Sequence, residues 1–274
     1  MKSIEKLAGE RPIAFGFVAT FSFILMLIIS AILGSLWSGE QLYGQPGGIL
    51  GRAIAILFLL VFLSRLGWLH LSGFTSLGQM RTWLIIILPL AYSIFALTYA
   101  MTSEFVFKFS TSEFTWLVTL FIVTAAFLEE VVFRGMILYG LVRAWGDTNT
   151  GHIRSVVVSS LFFCSIHLLD SLSGRPISSV LLQTLEAFLL GVFLAALVLR
   201  GKSIYPASFF HCTLNLLAFS IFGSSGVEPA IGAWLMLSIL MLPLAILGVY
   251  LLHKISHQPF TDSKTTNKLK KTTI

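Results

Sequence analysis

The sequence predicts an all-α fold, a polytopic bundle of about eight membrane-spanning helices with both termini in the cytoplasm. Three observations carry this expectation. Apolar residues make up 56% of the chain and charged residues 11%, against about 45–50% and about 25% in soluble domains. The apolar residues fall in blocks close to the ~20 residues that cross a bilayer core. The basic residues lie between and beyond these blocks, almost all on one side. The net charge of +6 therefore describes loops and tails and does not imply a nucleic-acid partner.

The blocks fall near 13–33, 49–69, 83–101, 114–133, 155–169, 180–199, 207–222 and 231–252. The first follows Lys2, Lys6 and Arg11 and exceeds the ~7–15 apolar residues of a signal peptide, so it reads as a retained helix. With the amino terminus inside, only Arg52, Lys108 and Arg175 of the 18 basic residues fall outside, the asymmetry expected of a plasma-membrane topology. Residues 135–154 read as an amphipathic continuation of the fourth block into the cytoplasmic interface. Lys264, Lys268, Lys270 and Lys271 form a polar tail suited to anionic headgroups.

Three organisational units follow: helices one to three over residues 1–113, a polar-bearing core over 114–222, and a last helix with a basic tail over 223–274. No repeat and no pair of interrupted helices marks a transporter. The common soluble-enzyme motifs are absent as well. Cys164 and Cys212 lie in apolar runs and read as small buried hydrophobes.

Few ionisable groups remain inside the spans. They are Glu129, Glu130 and Arg134 in the fourth block, His167 in the fifth, Glu186 in the sixth and His211 in the seventh. A charge at the centre of a membrane helix costs about 2.5–3.5 kcal/mol on insertion scales, so each needs a partner or a function. Residues on a helix are about 100° apart, so Glu129 and Glu130 cannot face one point. Glu130 and Arg134 are one turn apart in the favourable order for an ion pair, leaving Glu129 without a partner in its own helix. That suits a proton acceptor; an anchoring Glu-Glu-Arg cluster is the alternative. His211 and Asn215 share a face one turn apart, and either they or His167 could equally serve helix–helix hydrogen bonding. Glu186 reads as an interhelical hydrogen-bonding group or part of a substrate path.

The ordered set Glu129-Glu130-x-x-x-Arg134, Phe163-x-x-x-His167 and His211-x-x-x-Asn215 resembles the three motifs of the CAAX-protease and bacteriocin-processing (CPBP, or Abi) family of intramembrane proteases. The likeness extends over about 114–222, including Phe133-Arg134-Gly135 and the approach from Leu199 to Ala207. The resemblance implies an intramembrane endopeptidase acting on a membrane-associated peptide or protein, prenylated or not, in a bacterial cell membrane. It implies that Glu129 and His167 activate water, that His211 and Asn215 stabilise the oxyanion, and that Glu130 with Arg134 holds the first of these helices. The expectation is a metal-free mechanism, with zinc as the alternative because Glu and His are acceptable ligands. The cavity is expected to open toward the cytoplasm. A non-catalytic immunity or interaction protein on the same scaffold is the rival reading, and a proton relay or transporter a weaker one.

Overall fold

A computed structural model describes residues 2–38, 46–102, 116–146, 148–219 and 231–253, apart from the side chains of 97–102, 233 and 236. The lysine tail, Lys108 and the acids Glu40, Glu104, Glu113, Asp147, Glu228 and Asp262 lie outside the described residues. Among the described residues every regular element is a helix: α1 (Lys2–Glu10), α2 (Pro12–Ser38), α3 (Pro46–Arg65), α4 (Met80–Thr102), α5 (Trp116–Glu130), α6 (Tyr139–Trp145), α7 (Asn149–Ser165), α8 (Ile177–Gly201), α9 (Tyr205–Ala218) and α10 (Ile231–His253). A π-helical segment, Val131–Leu138, joins α5 to α6, and a 3₁₀ segment, Ile166–Ser173, extends α7.

Five helical runs are long and apolar enough to cross a membrane: Pro12–Leu36, Pro46–Arg65, Trp116–Trp145, Asn149–Ser173 and Ile177–Gly201. Met80–Ala96 and Leu237–His253 are shorter apolar stretches. Many of the large side chains on α2, α3 and α4 point outward, such as Phe17, Phe58 and Phe95. Where lipid replaces water, such a surface is the favourable one.

Local chemistry sets the helix ends. Pro12 begins α2 and Pro206 lies in the first turn of α9, positions where a missing N–H costs nothing. Thr148 caps α7 by accepting from the Gly151 amide at 3.0 Å. Gly146 (φ 81°) and Gly174 (φ 84°) close the helical runs before α7 and α8 in a conformation that costs glycine little.

The continuation beyond the fourth block departs from the sequence expectation. The helical run persists to Trp145, giving 30 residues from Trp116, and every residue from Glu130 to Val142 is buried. It is a core element, because α2, α3 and α7 all pack against the π segment. The mixture of Tyr139, Arg143 and aromatic residues had suggested an interface; burial of Tyr139 against Trp68 (ring centroids 5.1 Å) explains the composition instead. The longer run also puts Glu129 near the middle of its helix.

The segment between α3 and α4 locks onto the turn between α8 and α9. Ser203 Oγ donates to the Ser76 carbonyl at 2.7 Å, and the Tyr205 hydroxyl donates to the Phe74 carbonyl at 2.8 Å. Gly73 (φ 88°) lies so close to Ser203 that a Cβ would come within 2.9 Å of its Cα. Phe74 then lies over Gly135 of the π segment.

Candidate active site

The π segment and the end of α5 carry the charged cluster. Arg134 Nη1 lies 2.9 Å from Glu130 Oε1, and both side chains are buried. The guanidinium also stacks over Phe163, 4.1 Å from the ring centroid, which adds a cation–π attraction to the ion pair. π segments are rare and concentrate at functional sites. Here the Phe133 carbonyl within it accepts from Ser159 Oγ of α7 at 2.9 Å.

Glu130 does more than pair with Arg134. His211 Nδ1 of α9 lies 2.7 Å from the same Oε1. A carboxylate paired with a guanidinium only accepts, so His211 donates through Nδ1–H. Its other nitrogen, Nε2, lies 3.7 Å from Glu129 Oε2 and 3.3 Å from the Asn215 amide nitrogen. The one-turn spacing of His211 and Asn215 thus brings them into contact. Glu130, expected only as a structural partner, is also the group that orients His211 and connects α5 to α9.

His167 lies in the 3₁₀ extension of α7. Its Nδ1 is 3.2 Å from Gln183 Nε2 on α8. Gln183 Oε1 accepts from Arg175 Nη1, and that guanidinium nitrogen lies 3.0 Å from Asp170 Oδ2. A guanidinium can only donate, so the amide oxygen must face Arg175 and the amide NH₂ must face His167. Nδ1 is then the acceptor, and neutral His167 carries its proton on Nε2. Phe163 stands edge-on to both histidines, with centroid separations of 5.7 Å to His167 and to His211.

Glu129, His167, His211 and Asn215 all line one cavity of about 210 Å³. Gln183 and Glu186 of α8 line it too, and Glu186 Oε1 accepts from Ser238 Oγ of α10 at 3.2 Å. The remaining wall is apolar, with Leu190, Leu214, Trp234 and Met241. The lining comes from the end of α5, the end of α7 and its 3₁₀ extension, the first half of α8, the second half of α9 and the first half of α10. That is the end of the bundle bearing the Ser173–Ile177 turn.

Residues 111–217 match the family model described as type II CAAX prenyl endopeptidase Rce1-like. That segment is similar to the Rce1-like family. The match implies a CAAX-type protease, and with five helices long and apolar enough to span, an integral membrane protein. No curated protein and no solved structure matches the chain. The Rce1-like segment contains Glu129, Glu130, Arg134, His167, Gln183, Glu186, His211 and Asn215, while Trp234 and Met241 of α10 lie beyond it.

Among the described residues, no three His, Cys, Asp or Glu side chains come together as a metal ion would require. His211 Nδ1 and His167 Nδ1 are each engaged by a protein partner. Cys164 and Cys212 are free thiols, buried and half-buried.

Gln183 and the Asp170–Arg175 pair were not singled out from the sequence. Gln183 is 16 residues from His167 on another helix, and an amide on an apolar helix carries no motif. Only its cost offered a signal: a polar amide in a membrane helix needs a partner.

Proposed function

We propose that the protein is an intramembrane endopeptidase that hydrolyses a peptide bond in a membrane-associated polypeptide. The observation that carries this is the arrival of Glu129, His167, His211 and Asn215 from three helical runs at one cavity within the Rce1-like segment. We retain eight spans, the division into residues 1–113, 114–222 and 223–274, and a cytoplasmic amino terminus as part of this reading.

The cluster's charges suggest how the work divides. Glu130 is paired with Arg134, whereas Glu129 lies 3.7 Å from His211 Nε2 and belongs to no ion pair with Arg134. Glu129 is therefore the carboxylate assigned as base. The donor role assigned to His211 Nε2 requires a proton there in addition to Nδ1–H, with the Asn215 amide turned so that its oxygen faces that nitrogen.

Glu129 takes a proton from water while the water oxygen attacks the scissile carbonyl carbon. His167 Nε2–H donates to the water oxygen and orients it. His211 Nε2–H, beside the Asn215 amide, meets the negative charge that develops on the carbonyl oxygen, where preorganised donors act most strongly. Glu129 then returns the proton to the departing nitrogen as the C–N bond breaks. Glu130 and Arg134 hold α5 and, through Nδ1, His211. No step passes through a metal, and treatment with a chelator is expected to leave activity intact. Stoichiometric zinc lost together with activity would replace this scheme with a metal-assisted one.

The apolar wall accommodates a membrane-embedded segment, and nothing in it selects a prenyl group over an ordinary apolar side chain. The deciding experiment compares membrane proteomes of cells carrying the wild-type protein and Glu129→Ala. A processed peptide that disappears with Glu129→Ala supports the reading. A phenotype unchanged by Glu129→Ala supports the interaction-protein alternative.

A further inference from the structure

The two halves of the bundle differ in a way that bears on how anything reaches the cavity. At one end, the residues from Glu130 to Val142 are all buried, as are Gly191–Leu199 of α8. Arg134, Phe133, Tyr139, Phe193 and Phe210 fill this half and are each less than 3% exposed. An aqueous route from this end to Glu129 would have to open a close-packed core, in which few voids reach the size of a water.

The cavity and its polar side chains lie in the other half. His167 lies in the 3₁₀ segment just before the Ser173–Ile177 turn. Gln183 and Glu186 lie within the first three turns of α8, and Trp234 and Leu237 within the first two of α10. Arg175 and Asp170, both partly exposed, extend this polar line from His167 to the surface.

Charge assigns the sides. The closed half ends in Arg65, Arg143, Arg154, Arg200 and Lys202, whereas Arg175 is the described basic residue at the turn beside the half that holds the cavity. Short loops rich in Lys and Arg stay in the cytoplasm.

We infer that the cavity is served from the non-cytoplasmic side of the membrane. Its substrate is then a polypeptide whose scissile bond lies in the outer half of the bilayer, such as the membrane-embedded part of an exported peptide. A tail lipidated and presented in the cytoplasm would reach only the closed face. The assignment of a substrate rests on the protease reading above; the side of entry does not.

The test reads accessibility, not cleavage. Full-length Cys164→Ser/Cys212→Ser protein carries one new cysteine in sealed membrane vesicles of each orientation. Ala187→Cys reports on the cavity wall, with Leu190→Cys as a second reporter where the first fails to insert. Leu172→Cys (83% exposed) reports on the Ser173–Ile177 end and Leu77→Cys (70% exposed) on the opposite end. The probe is a small, membrane-impermeant cationic methanethiosulfonate, which reacts with the water-exposed thiolate. Ala187→Cys and Leu172→Cys should react at least about tenfold faster in right-side-out vesicles, and Leu77→Cys at least about tenfold faster in inside-out vesicles. A cavity reporter that reacts faster in inside-out vesicles overturns the inference, as does one that reacts from neither side. If the labelling comes out as expected while no peptide is cut, the protease reading fails and the side of entry stands.

Discussion

Replacing Gln183 by glutamate is the sharpest perturbation of the site, because it changes one group's hydrogen-bonding role while keeping its shape. In the wild type, Arg175 takes the amide oxygen, and the amide NH₂ faces His167 Nδ1 at 3.2 Å. A carboxylate at 183 can only accept, so Nδ1 must become the donor and Nε2 loses its proton. One favourable hydrogen bond is replaced by a mismatch in the working tautomer, and the opposite tautomer gains a charge-assisted bond. At about 1.5–3 kcal/mol for a hydrogen bond to a charged group, the preference swings by about 3 kcal/mol. Each 1.36 kcal/mol is tenfold, so the ratio of productive to unproductive tautomer shifts about 10²-fold, and kcat falls by up to that factor, while KM stays near its wild-type value. Nitrogen NMR of ring-labelled histidine, on full-length protein in lipid nanodiscs, reads the tautomer directly, with His167→Ala providing the assignment. Cleavage of a quenched fluorescent membrane peptide reads kcat. A wild-type His167 protonated at Nδ1, or a Gln183→Glu spectrum identical to wild type, would refute the reasoning.

Glu129→Gln, near-isosteric and unable to take a proton, should lower kcat by at least about 10²-fold with an unchanged melting temperature; a comparable kcat would remove Glu129 as the base. Glu130→Ala leaves a buried guanidinium and His211 unpartnered and should destabilise the protein by about 3–5 kcal/mol, seen as a lower unfolding temperature in detergent as well as lost activity. Gly135→Ala puts a Cβ 2.7 Å from the Phe74 ring, and overpacking of this kind costs about 1–3 kcal/mol; Phe74→Leu in the same chain should recover part of that stability in thermal melts.

The legibility of the site divides by how far apart in the chain its partners lie. His211 and Asn215 are on one helix one turn apart, and Glu130 and Arg134 likewise, so helical spacing alone brings out both pairs. The His211–Glu130 bond joins residues 81 apart and the His167–Gln183 bond residues 16 apart. No periodicity links such positions, since they meet only when helices pack. Hydropathy located the helical blocks because membrane insertion is governed by the same transfer free energies. It misjudged residues 135–145, where aromatic and basic side chains bury in the bundle much as they would sit at an interface. With α5 continuing through the π segment to Trp145, Glu129 lies near the middle of a 30-residue helical run.

The π-helical turn at Val131–Leu138 has a consequence for how this chain tolerates change in length. Hydrogen bonds that close five residues apart rather than four place more residues in each turn, so the stretch acts as a phase shifter between two ordinary helices. Upstream of it, one rotational setting aims Glu129 at the cavity; downstream, another sets Tyr139 against Trp68. Removing a single residue within the stretch would let it relax to an α-helix with little change in the relative rotation of its two flanks, because the wider turn already holds about one residue more than an α turn. A one-residue deletion in the ordinary helix on either side has no such slack and would turn everything beyond it by about 100°.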